Sequence, residues 1–171
     1  ALVGAHDEMT PDYFTLLKKA GFLGQTGQTF AGETAVAMML STEKNEKTLC
    51  KVESVEKTYL RFEDLDIAKD IDFVMIGVNG SSKNDLPYFE NCKKFFPNIP
   101  LLQYKNIFGE SYTASALGVY AAALCLQKGK IPASLIMDQN TKEKYSEKPR
   151  KILCYNQSGN KNHTFIVLST C

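Results

Sequence analysis

Apolar and polar positions fall in blocks along this chain, and the longest apolar block organises the rest. From Pro100 to Ile131 the sequence reads PLLQYKNIFGESYTASALGVYAAALCLQKGKI. Pro100 to Gln103 is short and apolar, a buried strand. Tyr104 to Ser111 is a polar turn carrying Lys105, Gly109 and Glu110. Tyr112 to Leu126 is a run of small and apolar residues ended by Gln127-Lys128-Gly129. That run is too long for an ordinary strand and lacks Pro, so it predicts a helix. Ser111 suits its N-cap, Glu110 the positive end of its dipole, and Lys128 with Gly129 its stop. With no charge between Tyr112 and Leu126, the helix is expected to be central and covered all round. It falls short of the roughly 20 apolar residues of a membrane span and contains Thr113 and Ser115.

The remaining pattern alternates strand and helix. Ala1 to Ala5 reads as the end of a buried strand. Thr10-Pro11-Asp12 opens a helix whose apolar face is Tyr13, Phe14, Leu16, Leu17 and Ala20, closed by Gly21. A Gly/Gln/Thr loop, Gly24 to Gly32, precedes a continuous apolar strand from Glu33 to Ser41. After the charged turn Thr42 to Lys47, Thr48 to Tyr59 alternates and is expected to close a hairpin with that strand. Phe62 to Lys69 is weakly helical. Phe73 to Val78 is a buried strand ending in Asn79-Gly80-Ser81-Ser82, and Asn84-Asp85 caps a helix through Phe96. Beyond Ile131-Pro132 the chain is polar and irregular to Arg150. Strands Lys151 to Tyr155 and Thr164 to Thr170 then flank a turn from Asn156 to His163. This order predicts a mixed α/β sheet covered on both faces.

Composition narrows the picture. With 171 residues there is enough chain for one real core. A net charge of +1 carries no electrostatic footprint for nucleic acid or an anionic membrane. The five cysteines show no CxxC spacing and read as reduced core thiols of a cytoplasmic protein. Two histidines, His6 and His163, make a histidine metal site improbable and read as loop and turn residues. No basic leader opens the chain. It begins on an apolar run without Met, which reads as a fragment. Ligands of open α/β sheets bind beyond the carboxyl ends of the strands. Three polar turns follow predicted strands there: Asn79-Gly80-Ser81, Lys105 to Ser111, and Asn156 to His163. They either converge on one cleft or are separate surface turns.

At these turns the chain resembles the second half of the β-ketoacyl synthases, the thiolase-fold condensing enzymes of fatty acid and polyketide assembly. Gly32-Glu33-Thr34-Ala35 before an apolar strand is similar to their Gly-Glu-Gly-Ala strand. DFVMIGVNGSSKND, from Asp72 to Asp85, resembles their strand ending in His-Gly-Thr, followed by Asn-Asp. KNIFGESYTASALG, from Lys105 to Gly118, resembles their Lys-(x)4-His motif and its small-residue helix. Ile131-Pro132 and the turn from Asn156 to His163 follow in the same order. The resemblance implies an α/β, thiolase-like fold, with residues 1–171 forming its C-terminal half and the nucleophile-bearing N-terminal half absent. With that half gone, the helix Tyr112 to Leu126 would show an apolar face, so the chain is expected to self-associate.

The resemblance also implies the site and how it departs from the family. A nucleophilic Cys takes the acyl chain, two His assist malonyl decarboxylation and steady the enolate, and Lys holds the second His. Here Asn79 stands at the first His position and Glu110 at the second, while Lys105 matches. Asn79 donates hydrogen bonds but carries no proton, and Glu110 would pair with Lys105 rather than welcome an enolate. The alternative for Lys105 and Glu110 is a plain ion pair. Ser81, Gly109 and Gly159 are the matching substrate-contact candidates, and neither a metal nor a cofactor is implied. No cysteine sits at a helix start that would replace the nucleophile. The expected function is that of a non-catalytic, chain-length-factor-like partner in fatty acid, polyketide or aryl polyene synthesis. It would pair as a homo- or heterodimer with an active ketosynthase and an acyl carrier protein, with no nucleic acid and no membrane span. The alternatives are an acyltransferase joining acyl and malonyl carriers with Glu110 as base, and an unrelated α/β scaffold domain.

Overall fold

The computed structural model describes residues 1–23, 30–59, 70–137, 145 and 148–171. Most of the loop expected from Gly24 to Gly32, all of the weak helix at Phe62 to Lys69, and much of the stretch before Arg150 lie outside the described residues.

The elements run β1 (Leu2–Asp7), α1 (Pro11–Lys19), β2 (Thr34–Met39), β3 (Lys51–Tyr59), β4 (Phe73–Ile76), α2 (Ser82–Phe95), β5 (Leu101–Gln103), α3 (Lys105–Phe108), α4 (Ala114–Lys128), β6 (Lys151–Ser158) and β7 (Asn162–Ser169). A 3-10 turn, Ala133–Leu135, follows α4. Five strands form a mixed sheet in the order β3-β7-β6-β4-β5. β4 is parallel to both β5 and β6, and β7 is antiparallel to β6 and β3.

The continuous apolar runs of β4 and β6 follow from burial on both faces. Phe73, Met75, Ile152 and Cys154 point to one core with Ala122, Cys125 and Leu126 of α4. Val74, Ile76, Leu153 and Tyr155 point to the other with Tyr88 and Cys92 of α2. α4 packs on β4, β6 and β7 and also meets β2, so it is the central helix expected from its composition. Ala114, Gly118 and Ala121 to Ala123 are buried, and only Tyr112 and Tyr120 among its large apolar neighbours are exposed. The expected open face on this helix is therefore largely covered by the chain itself.

Several expectations are corrected. β2 does not form a hairpin with β3. It pairs antiparallel with β1, from Leu2 opposite Met39 to Asp7 opposite Thr34. β3 instead takes the outer edge of the five-stranded sheet beside β7. Its Lys51, Glu53, Glu56 and Lys57 suit an exposed edge, whereas β2 carries no charge. β1 and β2 were expected to be buried, yet both are largely exposed, because no described layer covers their outer surface. The turn from Tyr104 to Ser111 contains the short helix α3. α4 begins at Ala114 behind Thr113, and Ser111 is not its side-chain cap: the Ser111 hydroxyl lies 3.0 Å from that of Thr34. α2 begins at Ser82 with Ser81 at its N-cap, so Asn84 and Asp85 lie inside its first turn. β6 and β7 extend further than expected and leave only a tight turn. His163 is thus a buried strand residue, and His6 lies in β1.

Candidate functional site

The carboxyl ends of β4, β5 and β6 lie side by side, and two of the three polar turns meet there. β4 ends at Ile76 and delivers Asn79 through Gly77 and Val78; β5 ends at Gln103 and delivers Lys105 and then Glu110 through α3. The Lys105 ammonium lies 2.8 Å from both Glu110 carboxylate oxygens. The Asn79 amide donates to Glu110 Oε2 at 2.7 Å. The side chains of Lys105 and Glu110 are only 14% and 6% exposed, so this is a buried ion pair. The three family-position candidates thus form one cluster.

Asn79 has no spare hydrogen. Its other amide proton goes to the Phe22 carbonyl at 2.6 Å, and its side-chain oxygen accepts the Ser81 N–H at 3.1 Å. Beneath it, Asp85 receives the backbone N–H groups of Asn79 and Gly80, each at 2.8 Å. Burial raises the Asp85 carboxyl above its ordinary range, while those two donors and the Lys105 charge work the other way. Asp85 holds the Asn79-Gly80 turn in shape. In the sequence Asp85 closes the motif that starts at Asp72 and reads as a helix cap, with no sign of this bond to the Asn79-Gly80 backbone.

Glu110 is fixed through its backbone as well as its side chain. Its N–H donates to the Phe30 carbonyl at 2.8 Å and its carbonyl accepts from Gly32 at 3.0 Å. That bridge brings Gly109 against Gly32. A Cβ on Gly32 would collide with the Phe108 carbonyl, and Gly109 has φ of +79°, so both positions need glycine. Gly109 therefore serves a close backbone approach beside the cluster. Ser81 is buried at the start of α2, its carbonyl accepting from Asn84 and Asp85.

The third turn reaches the site through its base and not its tip. Tyr104, fully buried at the end of β5, donates to Asn156 Oδ1 at 2.7 Å, and Tyr88 accepts the Gln157 N–H at 3.0 Å. Burial holds both phenols well above their ordinary range. Gln157 also donates to the Asn84 carbonyl at 2.9 Å. Gly159 sits at the outer end of the β6–β7 hairpin, φ +61°, with open space where a side chain would project, and the structure does not bring it to the cluster. The Tyr88–Tyr104–Asn156 layer was not foreseen from the sequence, which puts Tyr104 at the start of a polar turn.

Chemically, every polar group at the heart of the cluster is spent on another. The lysine charge is neutralised, the carboxylate accepts three contacts, and the asparagine amide is saturated. Among the described residues no group of three His, Cys, Asp or Glu side chains is placed to hold a metal. Cys92, Cys125 and Cys154 are buried and every described cysteine is unpaired. Burial raises the thiols of Cys92 and Cys154, the opposite of an activated nucleophile. No described helix is long and apolar enough to cross a membrane.

No protein-family model and no curated protein matches the chain. Solved structures do. The ishigamide ketosynthase/chain length factor is similar over 99% of this chain and 53% of its own, at 18% identity and a TM-score of 0.73. The ketosynthase from module 6 of the bacillaene synthase of Bacillus subtilis 168 is similar over 99% and 42%, at 16% identity and 0.69. AntDE:AntF, a type II PKS acyl-carrier protein in complex with its ketosynthase bound to the hexaketide, is similar over 99% and 56%, at 13% identity and 0.73. The chain spans about half the length of these structures. The fold is therefore α/β and thiolase-like, as the sequence resemblance implied.

Proposed function

We propose that this chain is a ketosynthase-like protein without condensing activity of its own, acting beside an active ketosynthase in the manner of a chain length factor. The observation that carries the reading is the closed Asn79–Glu110–Lys105 cluster. A condensing site needs a proton carrier and free donors aimed at a developing enolate oxygen. Here both Asn79 protons are bound inside the protein, and an anionic Glu110 held by Lys105 would oppose a second negative charge.

The pathway class we infer is assembly of a polyketide, fatty acid or aryl polyene chain carried on an acyl carrier protein. The neighbours that include a chain length factor and a carrier–ketosynthase complex support it. The chain would correspond to the C-terminal half of the fold, with the nucleophile-bearing half supplied by residues outside these. The β1–β2 pair supports this: two strands with exposed apolar faces are marginal as a separate sheet, and more strands beside them would complete it. Work as a homo- or heterodimer in the cytoplasm belongs to the same proposal.

The alternative, an acyltransferase using Glu110 as base, would require the carboxylate to give up Lys105. One experiment separates them. The complete protein is incubated with a labelled acyl-carrier thioester and a malonyl carrier, alone and with a partner ketosynthase. The proposal expects no product from the protein alone and an altered product length when the partner is present. Condensation by the protein alone, abolished in Glu110→Gln, would replace this reading with the acyltransferase.

A further inference from the structure

The turn that delivers Asn79 contains the one asparagine–glycine pair in the chain, Asn79-Gly80. Such a pair carries a chemistry of its own. Glycine has no Cβ to shield its nitrogen, so nothing on Gly80 itself keeps that nitrogen from closing on the Asn79 side-chain carbonyl carbon. The five-membered ring that results is a succinimide. Its formation needs a Gly80 nitrogen that can lose its proton and an Asn79 carboxamide free to turn toward it.

The fold denies both. The Gly80 N–H donates to Asp85 Oδ2 at 2.8 Å, and the Asn79 N–H donates to the other oxygen, Oδ1, also at 2.8 Å. A carboxylate at that distance disfavours the nitrogen anion that attack requires. The carboxamide is held at both ends. Its oxygen accepts the Ser81 N–H at 3.1 Å, and its nitrogen donates to the Phe22 carbonyl at 2.6 Å and to Glu110 Oε2 at 2.7 Å. Asn79 is also buried, so the water that would open the ring is kept out.

We propose that Asn79-Gly80 is a latent deamidation site held shut by Asp85, and that its opening places a second carboxylate in the Glu110 cluster. In the first step the Gly80 nitrogen loses its proton and bonds to Asn79 Cγ. The Cγ–Nδ2 bond breaks, and Nδ2 leaves with that proton as ammonia. In the second step water adds to one of the two ring carbonyls and breaks its bond to the Gly80 nitrogen, which regains a hydrogen. The product at position 79 is aspartate or isoaspartate, and no electrons are gained or lost. A carboxylate there has no hydrogen to give to the Phe22 carbonyl or to Glu110, and leaves Lys105 to offset two negative charges. Isoaspartate also adds a methylene to the backbone between β4 and α2. Asp85 is thus a positioning residue that keeps the cluster neutral.

The test incubates the full chain at neutral pH and follows the one-dalton gain at position 79 by peptide mapping, with isoaspartate scored by methyltransferase labelling. Folded protein should convert about tenfold or more slowly than the same protein in urea, because reaction waits for the turn to open. Asp85→Asn offers one oxygen where two N–H groups need two. It should convert several-fold faster than the parent while amide exchange in β4 and β6 stays unchanged, and Asp85→Glu should recover part of the protection. Equal rates in folded and unfolded parent, or an Asp85→Asn protein that folds and converts no faster, would overturn the proposal. If Asp85→Asn does not fold, urea below the unfolding transition takes its place on the parent chain. Conversion should then rise together with hydrogen exchange at Gly80, and a rise only at global unfolding would remove Asp85 as the guard. Asn79→Asp should lower the urea midpoint; an unchanged midpoint would overturn the consequence drawn for the cluster.

Discussion

At the scale of single residues, the buried ion pair dominates the energetics. Removing one member strands the other charge in a site that excludes water, at a cost of about 3–5 kcal/mol, while replacing both with apolar residues of similar size costs far less. Glu110→Ala should therefore destabilise the protein by that amount in urea unfolding, and Lys105→Met with Glu110→Leu should recover most of the loss. An additive double variant would show that the two charges do not act together. His163 supplies a pH signature. It is buried in β7 with Nδ1 3.0 Å from the Tyr155 hydroxyl, which also receives Asn91 at 2.9 Å. Burial holds its imidazole below the ordinary 6.5, with a bond to the Asn160 backbone pulling the other way. The folded protein thus favours neutral His163, and the unfolded chain takes up the proton first. Its stabilising share is complete above about pH 6.5 and is lost as pH falls through the folded value. The melting midpoint should drop between pH 7 and 5, and His163→Phe should flatten that slope; an unchanged slope would assign the effect to other groups.

At the scale of elements, the link between β1 and α4 rests on one carboxylate. Asp7 Oδ2 accepts from the Tyr112 N–H at 2.7 Å, the Thr113 N–H at 3.3 Å and the Tyr13 hydroxyl at 3.0 Å. It does for α4 the work that Ser111 was expected to do, from a strand more than a hundred residues earlier. Asp7→Ala should cost about 1–2 kcal/mol, as loss of a helix cap does, and should speed amide exchange in the first turn of α4. The comparison shows what sequence makes readable. Elements whose periodicity is local, such as α1 behind Thr10-Pro11 or the doubly buried β4, could be placed from their own residues. Pairing could not: β2 leaves β3 for β1, and the charges of β3 suit a sheet edge without naming the strand it pairs with. The candidate site was legible at Asn79, Lys105 and Glu110 because motif order carries across the chain. Asp85, Tyr88, Tyr104 and Asn156 support it through contacts that only the assembled strands create.

At the scale of the whole molecule, exposed apolar surface is unevenly guarded. β3 is an edge strand, yet it carries four charges and a bulge between Val52 and Ser54, both of which discourage pairing with another chain. The β1–β2 sheet has no such protection: Leu2 and Met39, opposite each other, are 70% and 73% exposed, and Val3 and Leu40 lie beside them. Sedimentation at rising concentration should show association by the chain alone. Leu2→Lys with Met39→Lys should shift it toward monomer, and Val55→Lys should not; the reverse pattern would move the contact to β3. The strand order has another effect, felt during synthesis. β6 and β7 are made last but occupy the middle of the five-stranded sheet, between β3 and β4. A ribosome therefore exposes both flanks of that sheet, with their apolar side chains, before the strands that join them exist. Assembly must wait for residues 151–169, so a nascent chain stalled before them would be a substrate for chaperones rather than a shorter folded protein.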